Sequence, residues 1–241
     1  MMIKLLDWDT KFFGFKVGQL TLRELSEGDI NAYLNYLKVN NFRLVYILNS
    51  NKTEIPTKKK IIYELNKRNV KLVDEKVIFE KLLNYSHDVE SDIQAYSDSA
   101  EYRETLYKLA YLSGQYSRFK LDENFSSGKF EEMYKLWIDN SVNKKIADEI
   151  FVYQAEGNIC GFVTIKIDQD IGKIGLISVD PKFQGLSIGR KLINSCEVYC
   201  YSNDVRSLEV PTQLRNKGAF DFYIKCGFNV KEVIEIYHLW L

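Results

Sequence analysis

Between Lys173 and Tyr201 the chain changes its hydrophobic period, and no other stretch constrains the fold as tightly. Ile174, Leu176, Ile177 and Val179 form a short apolar run rich in branched residues, the mark of a buried strand. Pro181 brings no N–H to a sheet, so the strand stops before it. Beyond it Leu186, Ile188, Leu192, Ile193 and Cys196 recur at helical spacing, with Arg190 and Lys191 turned outward. Strand and helix are joined through Gln184-Gly185-Leu186-Ser187-Ile188-Gly189.

The first turn of a helix carries unpaired N–H groups and a partial positive charge, so it attracts phosphate. Gly185 and Gly189 let backbone approach a ligand closely, and Gln184, Ser187 and Arg190 can add donors. Two readings stand: a pyrophosphate cradle, or an ordinary β-α turn with two convenient glycines. No Gly-Lys-Ser/Thr follows, so this is not a Walker loop, and the full dinucleotide fingerprint is missing.

Upstream, Met1 to about Tyr85 reads as a unit of its own. Strands are expected at Ile3–Leu6, Val17–Leu22, Arg43–Leu48 and across Val70–Leu83. Ser26 and Asp29 can cap a helix bearing Ile30, Tyr33, Leu34 and Leu37, and Thr57–Arg68 is a second amphipathic helix. The aromatic cluster from Trp8 through Phe12 and Phe13 to Phe15, edged by Asp7 and Asp9, is most simply a packing knot. Asn84 to Ala100 is polar and acidic and reads as a linker, which places domains at 1–92 and 93–241.

Past the linker, helices are expected at Tyr102–Leu112 and Phe130–Val142, then a hairpin of strands Glu149–Gln154 and Cys160–Ile167. The strand-loop-helix follows, then a strand at Arg206–Thr212. A helix at Lys217–Cys226 has Asn216 as its cap and Gly227 as its stop, and Val230–Leu241 is the last strand.

Composition narrows the function classes. Lys plus Arg and Asp plus Glu each number 33, so nothing advertises nucleic acid or a polyanionic surface. No basic region with an apolar run opens the chain, and no apolar stretch reaches bilayer length, so neither export nor a membrane span is expected. Cys160, Cys196, Cys200 and Cys226 sit in apolar settings without a CxxC pair, and two histidines offer little toward a metal site. Buried thiols in a reducing cytoplasm, with no metal, are the expectation.

Gln184-Gly185-Leu186-Ser187-Ile188-Gly189 resembles motif A of the GNAT superfamily of CoA-dependent N-acyltransferases, whose signature is Gln/Arg-x-x-Gly-x-Gly/Ala. Ser187 stands where the first signature glycine is usual, and its N–H and hydroxyl imply an altered fit rather than lost binding. Asn216-Lys217-Gly218-Ala219-Phe220-Asp221-Phe222-Tyr223, followed by Cys226-Gly227-Phe228, is similar to the superfamily's closing Asn-x-x-Ala-x-x-Phe-Tyr-x-x-x-Gly-Phe. The order of elements from about Tyr96 onward also matches that layout. The resemblance implies an α/β (α+β) GNAT fold: a mixed, mostly antiparallel sheet with splayed central parallel strands, preceded by a smaller amino-terminal α/β domain.

A narrower resemblance extends over nearly the whole chain. Leu6-Asp7-Trp8-Asp9 with Phe12-Phe13-Gly14, Ser113-Gly114 with Tyr116-Ser117-Arg118-Phe119, Ile146-Ala147-Asp148-Glu149 and Tyr237-His238 resemble the bacterial TDP-fucosamine acetyltransferases. Those act on dTDP-linked amino-deoxysugars in lipopolysaccharide and other surface-polysaccharide assembly. The implied reaction moves an acyl group, acetyl first, from acetyl-CoA to the amino group of a dTDP-amino-dideoxyhexose. Alternatives are a longer donor such as 3-hydroxybutyryl-CoA, or a protein or small-molecule amine. A cytoplasmic enzyme, with a homodimer as the assembly, is expected.

The resemblance also assigns residues. Ile177, Ser178 and Val179 would line pantetheine, with an N–H near Ser178 or Val179 polarising the thioester. Gln184, Gly185, Leu186, Ser187, Ile188, Gly189 and Arg190 would hold the diphosphate, joined on the cofactor by Asn216, Ala219 and Phe222. Tyr223 would be the general acid, against the alternative of a buried core tyrosine. Trp8, Phe13, Tyr116, Ser117 and Arg118 would meet the sugar nucleotide, although Arg118 could equally hold an ion pair in a structured loop. Asp148, Glu149 and Glu209 are available as bases, and none is assigned.

Overall fold

A computed structural model describes residues 3–25, 30–50, 58–68, 70–84 and 91–241. Ser26, Asp29 and Thr57, expected at helix starts, lie outside the described residues. The elements begin with β1 (Lys4–Leu5), α1 (Asp7–Phe13), β2 (Lys16–Thr21), α2 (Ile30–Val39), β3 (Phe42–Ser50), α3 (Lys58–Asn66) and β4 (Lys71–Leu82). They continue with β5 (Ile93–Ala95), α4 (Ala100–Ser113), α5 (Arg118–Leu121), α6 (Lys129–Val142), β6 (Glu149–Ala155), β7 (Asn158–Asp168) and β8 (Ile171–Val179). The chain closes with α7 (Ile188–Ser202), β9 (Ser207–Gln213), α8 (Lys217–Lys225) and β10 (Asn229–Trp240). They gather into two compact units, Met1–Val77 with Glu232–Leu241, and Ile78–Lys231.

In the first unit the strand order is β1-β2-β3-β10-β4, with β2 parallel to β3 and β10 antiparallel to it. The apolar faces of α2 and α3, carried by Ile30, Tyr33, Leu37, Ile61 and Leu65, bury against Leu20, Val45 and Ile47. The aromatic cluster folds as α1, a seven-residue helix ending at Gly14 in the left-handed region. Its rings do pack together: Trp8 stacks on Phe12 at 5.1 Å and Phe13 on Phe15 at 5.7 Å.

The second unit orders its strands β4-β9-β8-β7-β6-β5. Ile159 to Ile165 of β7 are buried without a break, because α4 and α7 both pack on this strand and cover its two faces. Phe162 joins Leu106, Tyr107, Phe130 and Ile138 beneath α4 and α6. Ile188, Leu192, Ile193, Cys196 and Cys200 of α7 are equally buried. Ser99 caps α4, its side chain accepting from Tyr102 N. The stretch read as a linker carries a three-residue edge strand, β5, paired antiparallel with Phe151–Tyr153 of β6.

Candidate active site

The site is built where β8 leaves its neighbours. Along β7 the register steps from Ile165↔Ile174 to Val163↔Ile177, so β8 carries one residue more than its partner there. Such a bulge bends a strand and increases its local twist. On the other side β8 runs parallel to β9, and its pairing comprises Gly172↔Leu208 and Lys173↔Glu209. Both strands then continue, to Val179 and to Gln213, without further pairs between them. Pro211 in β9 has no N–H to offer either neighbour. Leu176, Ile177, Ser178 and Val179 are only half-buried although β8 is an interior strand, and the gap is lined by strand backbone.

At the open end of β8, Asp180 caps a single turn over Pro181–Phe183, and Gln184 Nε2 reaches back to Val179 O at 3.2 Å. Gly185 then takes φ 83° and Ser187 φ 62°, both in the left-handed region. Nothing lies within 4 Å of where a Gly185 Cβ would stand, so glycine is needed there for backbone conformation rather than for space. Ser187 precedes α7 without capping it through its side chain. The first-turn N–H groups from Ile188 onward are therefore left to whatever lies beyond the helix end, with Leu186 62% exposed beside them. A diphosphate fits this arrangement in charge and in donor supply.

Gly189 has a different reason: a Cβ there would come within 3.0 Å of Phe222 Cζ, so α7 and α8 meet at this glycine. Arg190 Nη2 donates to Lys225 O at 2.8 Å and ties the same two helices together. Asn216 caps α8, its Oδ1 accepting from Ala219 N at 3.2 Å. Tyr223, one residue past Phe222, is buried among Phe79, Phe222 and Phe228. Burial holds its phenol well above the usual range, with the Cys226 thiol adding to the shift. Among the described residues its hydroxyl has no hydrogen-bond partner. The molecule thus brings the loop of 184–190 together with Phe222 and Tyr223.

Tyr116 to Arg118 lie in the α4–α6 connection. Ser117 is buried and accepts from Phe119 N at 3.2 Å to start α5, while the Arg118 guanidinium lies 4.3 Å from the Phe119 ring centre. Trp8 and Phe13 belong to the amino-terminal unit, on α1, where Trp8 is 42% exposed. The three carboxylates weighed as bases are all engaged. Asp148 Oδ2 accepts from Ile167 N at 2.6 Å, Glu149 pairs with Lys144, and Glu209 pairs with Lys231 at 2.5 Å.

The model of the acetyltransferase (GNAT) family matches residues 114–228. This part of the chain is similar to the GNAT acetyltransferases. It contains the β8 bulge, the α7 amino terminus and Tyr223. A crystal structure of a GCN5-related N-acetyltransferase from Sphaerobacter thermophilus superposes with a TM-score of 0.59 at 14% identity, over 98% of this chain and 75% of that one. The α+β GNAT fold expected from the sequence is therefore the observed one.

Among curated proteins, an uncharacterised N-acetyltransferase of Methanocaldococcus jannaschii is 31% identical over 46% of this chain and 50% of its own length. The dTDP-fucosamine acetyltransferase of Escherichia coli O6:H1 is 29% identical over 44% of each chain. The chain spans about half the length of the curated relatives it matches. Among the described residues, no helix is long and apolar enough to cross a membrane and no cluster of His, Cys, Asp and Glu could hold a metal ion.

Proposed function

We propose that the chain transfers an acetyl group from acetyl-CoA to the amino group of a dTDP-linked amino-dideoxyhexose, in the assembly of a surface polysaccharide. One observation carries the acyl-CoA half of this reading: the β8–β9 pairing ends at Lys173↔Glu209, and the turn and loop after β8 lead to a helix with no side-chain cap. Pantetheine is amide-bearing and strand-like, so Ile177–Val179 suit it as an added strand. The N–H groups of Gly185 to Gly189 suit the diphosphate, with Gln184 beside them. The bound thioester supplies the activated acyl group.

The chain's own residues then have three tasks. Alignment of amine and thioester on rigid elements can lower the barrier by about 7–11 kcal/mol. Tyr223, its phenol kept protonated at neutral pH by burial, donates to the departing thiolate. With Asp148, Glu149 and Glu209 engaged elsewhere, the proton of a weakly basic sugar amine passes to water.

The sugar-nucleotide half is supported by the likeness to the dTDP-fucosamine acetyltransferase of Escherichia coli and by Arg118, whose planar guanidinium suits a diphosphate. Purified protein incubated with a panel of acyl-CoAs and dTDP-amino sugars tests the whole reading. A product heavier by one acetyl group, formed only with a dTDP-amino sugar, is expected. Acylation of polyamines or peptides with the dTDP sugars untouched would overturn the acceptor assignment.

A further inference from the structure

Where the β8 bulge opens the cleft, a side chain stands inside the ladder. Leu176 N donates to Thr164 Oγ1 at 2.9 Å, across the strand pair at the position where the register slips. Thr164 is buried on β7, between Val163 and Ile165, whose partners Ile177 and Ile174 flank the extra residue. A Cβ at Gly175 would come within 2.9 Å of the same hydroxyl oxygen, so a larger residue there would push it aside.

We infer that Thr164 is a positioning residue for the acyl-CoA cleft: its hydroxyl, inserted between β7 and β8, holds the bulge that turns Leu176–Val179 away from β9. The physical case is local. An extra residue in one strand disturbs the backbone ladder, and a buried N–H without an acceptor is costly. A hydroxyl one carbon away from the β7 backbone takes that N–H and fixes how far β8 departs. Neighbouring side chains cannot do the same, because Phe162, Val163 and Ile165 have no acceptor. The residues released, Ile177 to Val179, are those to which pantetheine is assigned, so Thr164 acts on the ligand through them and does not touch it. The inference rests on the acyl-CoA reading and deepens it by naming what sets the width of the opening.

The test is calorimetric titration of acetyl-CoA into the full chain, in wild-type form and as Thr164→Ser and Thr164→Val, with melting curves for each. Valine keeps the shape and removes the acceptor, whereas serine keeps the acceptor and removes a methyl. We expect Thr164→Val to weaken acetyl-CoA binding about tenfold and Thr164→Ser to stay within about twofold of wild type, as loss of one buried acceptor implies. A purely structural role would lower the melting point of both variants without separating their affinities. If Thr164→Val fails to fold, Gly175→Ala, which crowds the hydroxyl from the other side, carries the same expected loss of affinity. Wild-type binding with Thr164→Val or Gly175→Ala equal to it overturns the role of Thr164 and leaves the acyl-CoA reading standing. Absence of heat with the folded wild-type chain overturns both.

Discussion

The ring of Phe222 on α8 lies against the backbone of Gly189 on α7, so close that a Cβ at 189 would stand 3.0 Å from the ring's Cζ. The contact joins the helix proposed to hold a diphosphate to the helix that carries Tyr223. Gly189→Ala therefore forces Phe222 to give way or the helices to part. It should destabilise the chain by about 1–2 kcal/mol, the range for mild overpacking. It should also weaken acetyl-CoA binding severalfold, read by melting curves and titration on the same sample. A glycine needed only for helix packing would show the first effect without the second.

Tyr223 makes ring contacts but, among the described residues, no hydrogen bond through its hydroxyl. Tyr223→Phe keeps every one of those ring contacts. The melting point and the KM for acetyl-CoA should hardly change, while kcat falls by about 10²-fold or more, the usual worth of a positioned general acid. Steady-state kinetics at saturating substrates make the check; an unchanged kcat would leave Tyr223 as a core residue alone.

Lys231 of β10 donates to Glu80 Oε1 and to Glu209 Oε1, each at 2.5 Å, and the two carboxylates raise its pKa, Glu209 first. A raised lysine pKa stabilises the fold below the unfolded value of about 10.4 and loses that contribution as pH rises through the folded one. Lys231→Met takes away the cation that both carboxylates share and should cost about 1–3 kcal/mol at pH 7. The gap to wild type should narrow at high pH, as the raised lysine pKa is passed and wild type loses the same cation. Denaturant melts at neutral and at high pH decide this.

All four thiols are buried. Burial drives Cys196 well above the ordinary thiol range and pushes Cys200 up to about 12, with Cys160 and Cys226 shifted in the same direction. Raised values keep the sulfurs protonated, and the thiolate is the reactive form. At pH 8 the native chain should react with an aromatic disulfide reagent far more slowly than the denatured chain, in which all four should react promptly.

The residues explain which features could be read from the sequence. The strand-loop-helix at 173–201 was legible because strand and helix announce themselves by different hydrophobic periods within one short segment. The turn onto α8 was legible because Asn216 caps it locally. Helix α1 was not, since three of its seven residues are aromatic and none is fully buried; the spacing of Trp8 and Phe12 and the stop at Gly14 were the local signs. Edge strand β5 is only Ile93-Gln94-Ala95, too short for a period to show, and it pairs through its backbone. The opening between β8 and β9 depends on register: Thr164 meets Leu176 only after two strands have paired, and the splay was foreseen only through the motif resemblance. The carboxylates weighed as bases were undecidable for the same reason, because Glu209 finds Lys231 only in the folded sheet.

The most direct measurement is a crystal structure of the chain grown with acetyl-CoA. It should show pantetheine lying between Ile177–Val179 and Val210–Thr212, the diphosphate on the N–H groups of Ser187 to Gly189, and the thioester sulfur within reach of the Tyr223 hydroxyl. Acetyl-CoA bound elsewhere, or β8 and β9 zipped together past Lys173 and Glu209 with the cofactor excluded, would contradict the proposal at its root.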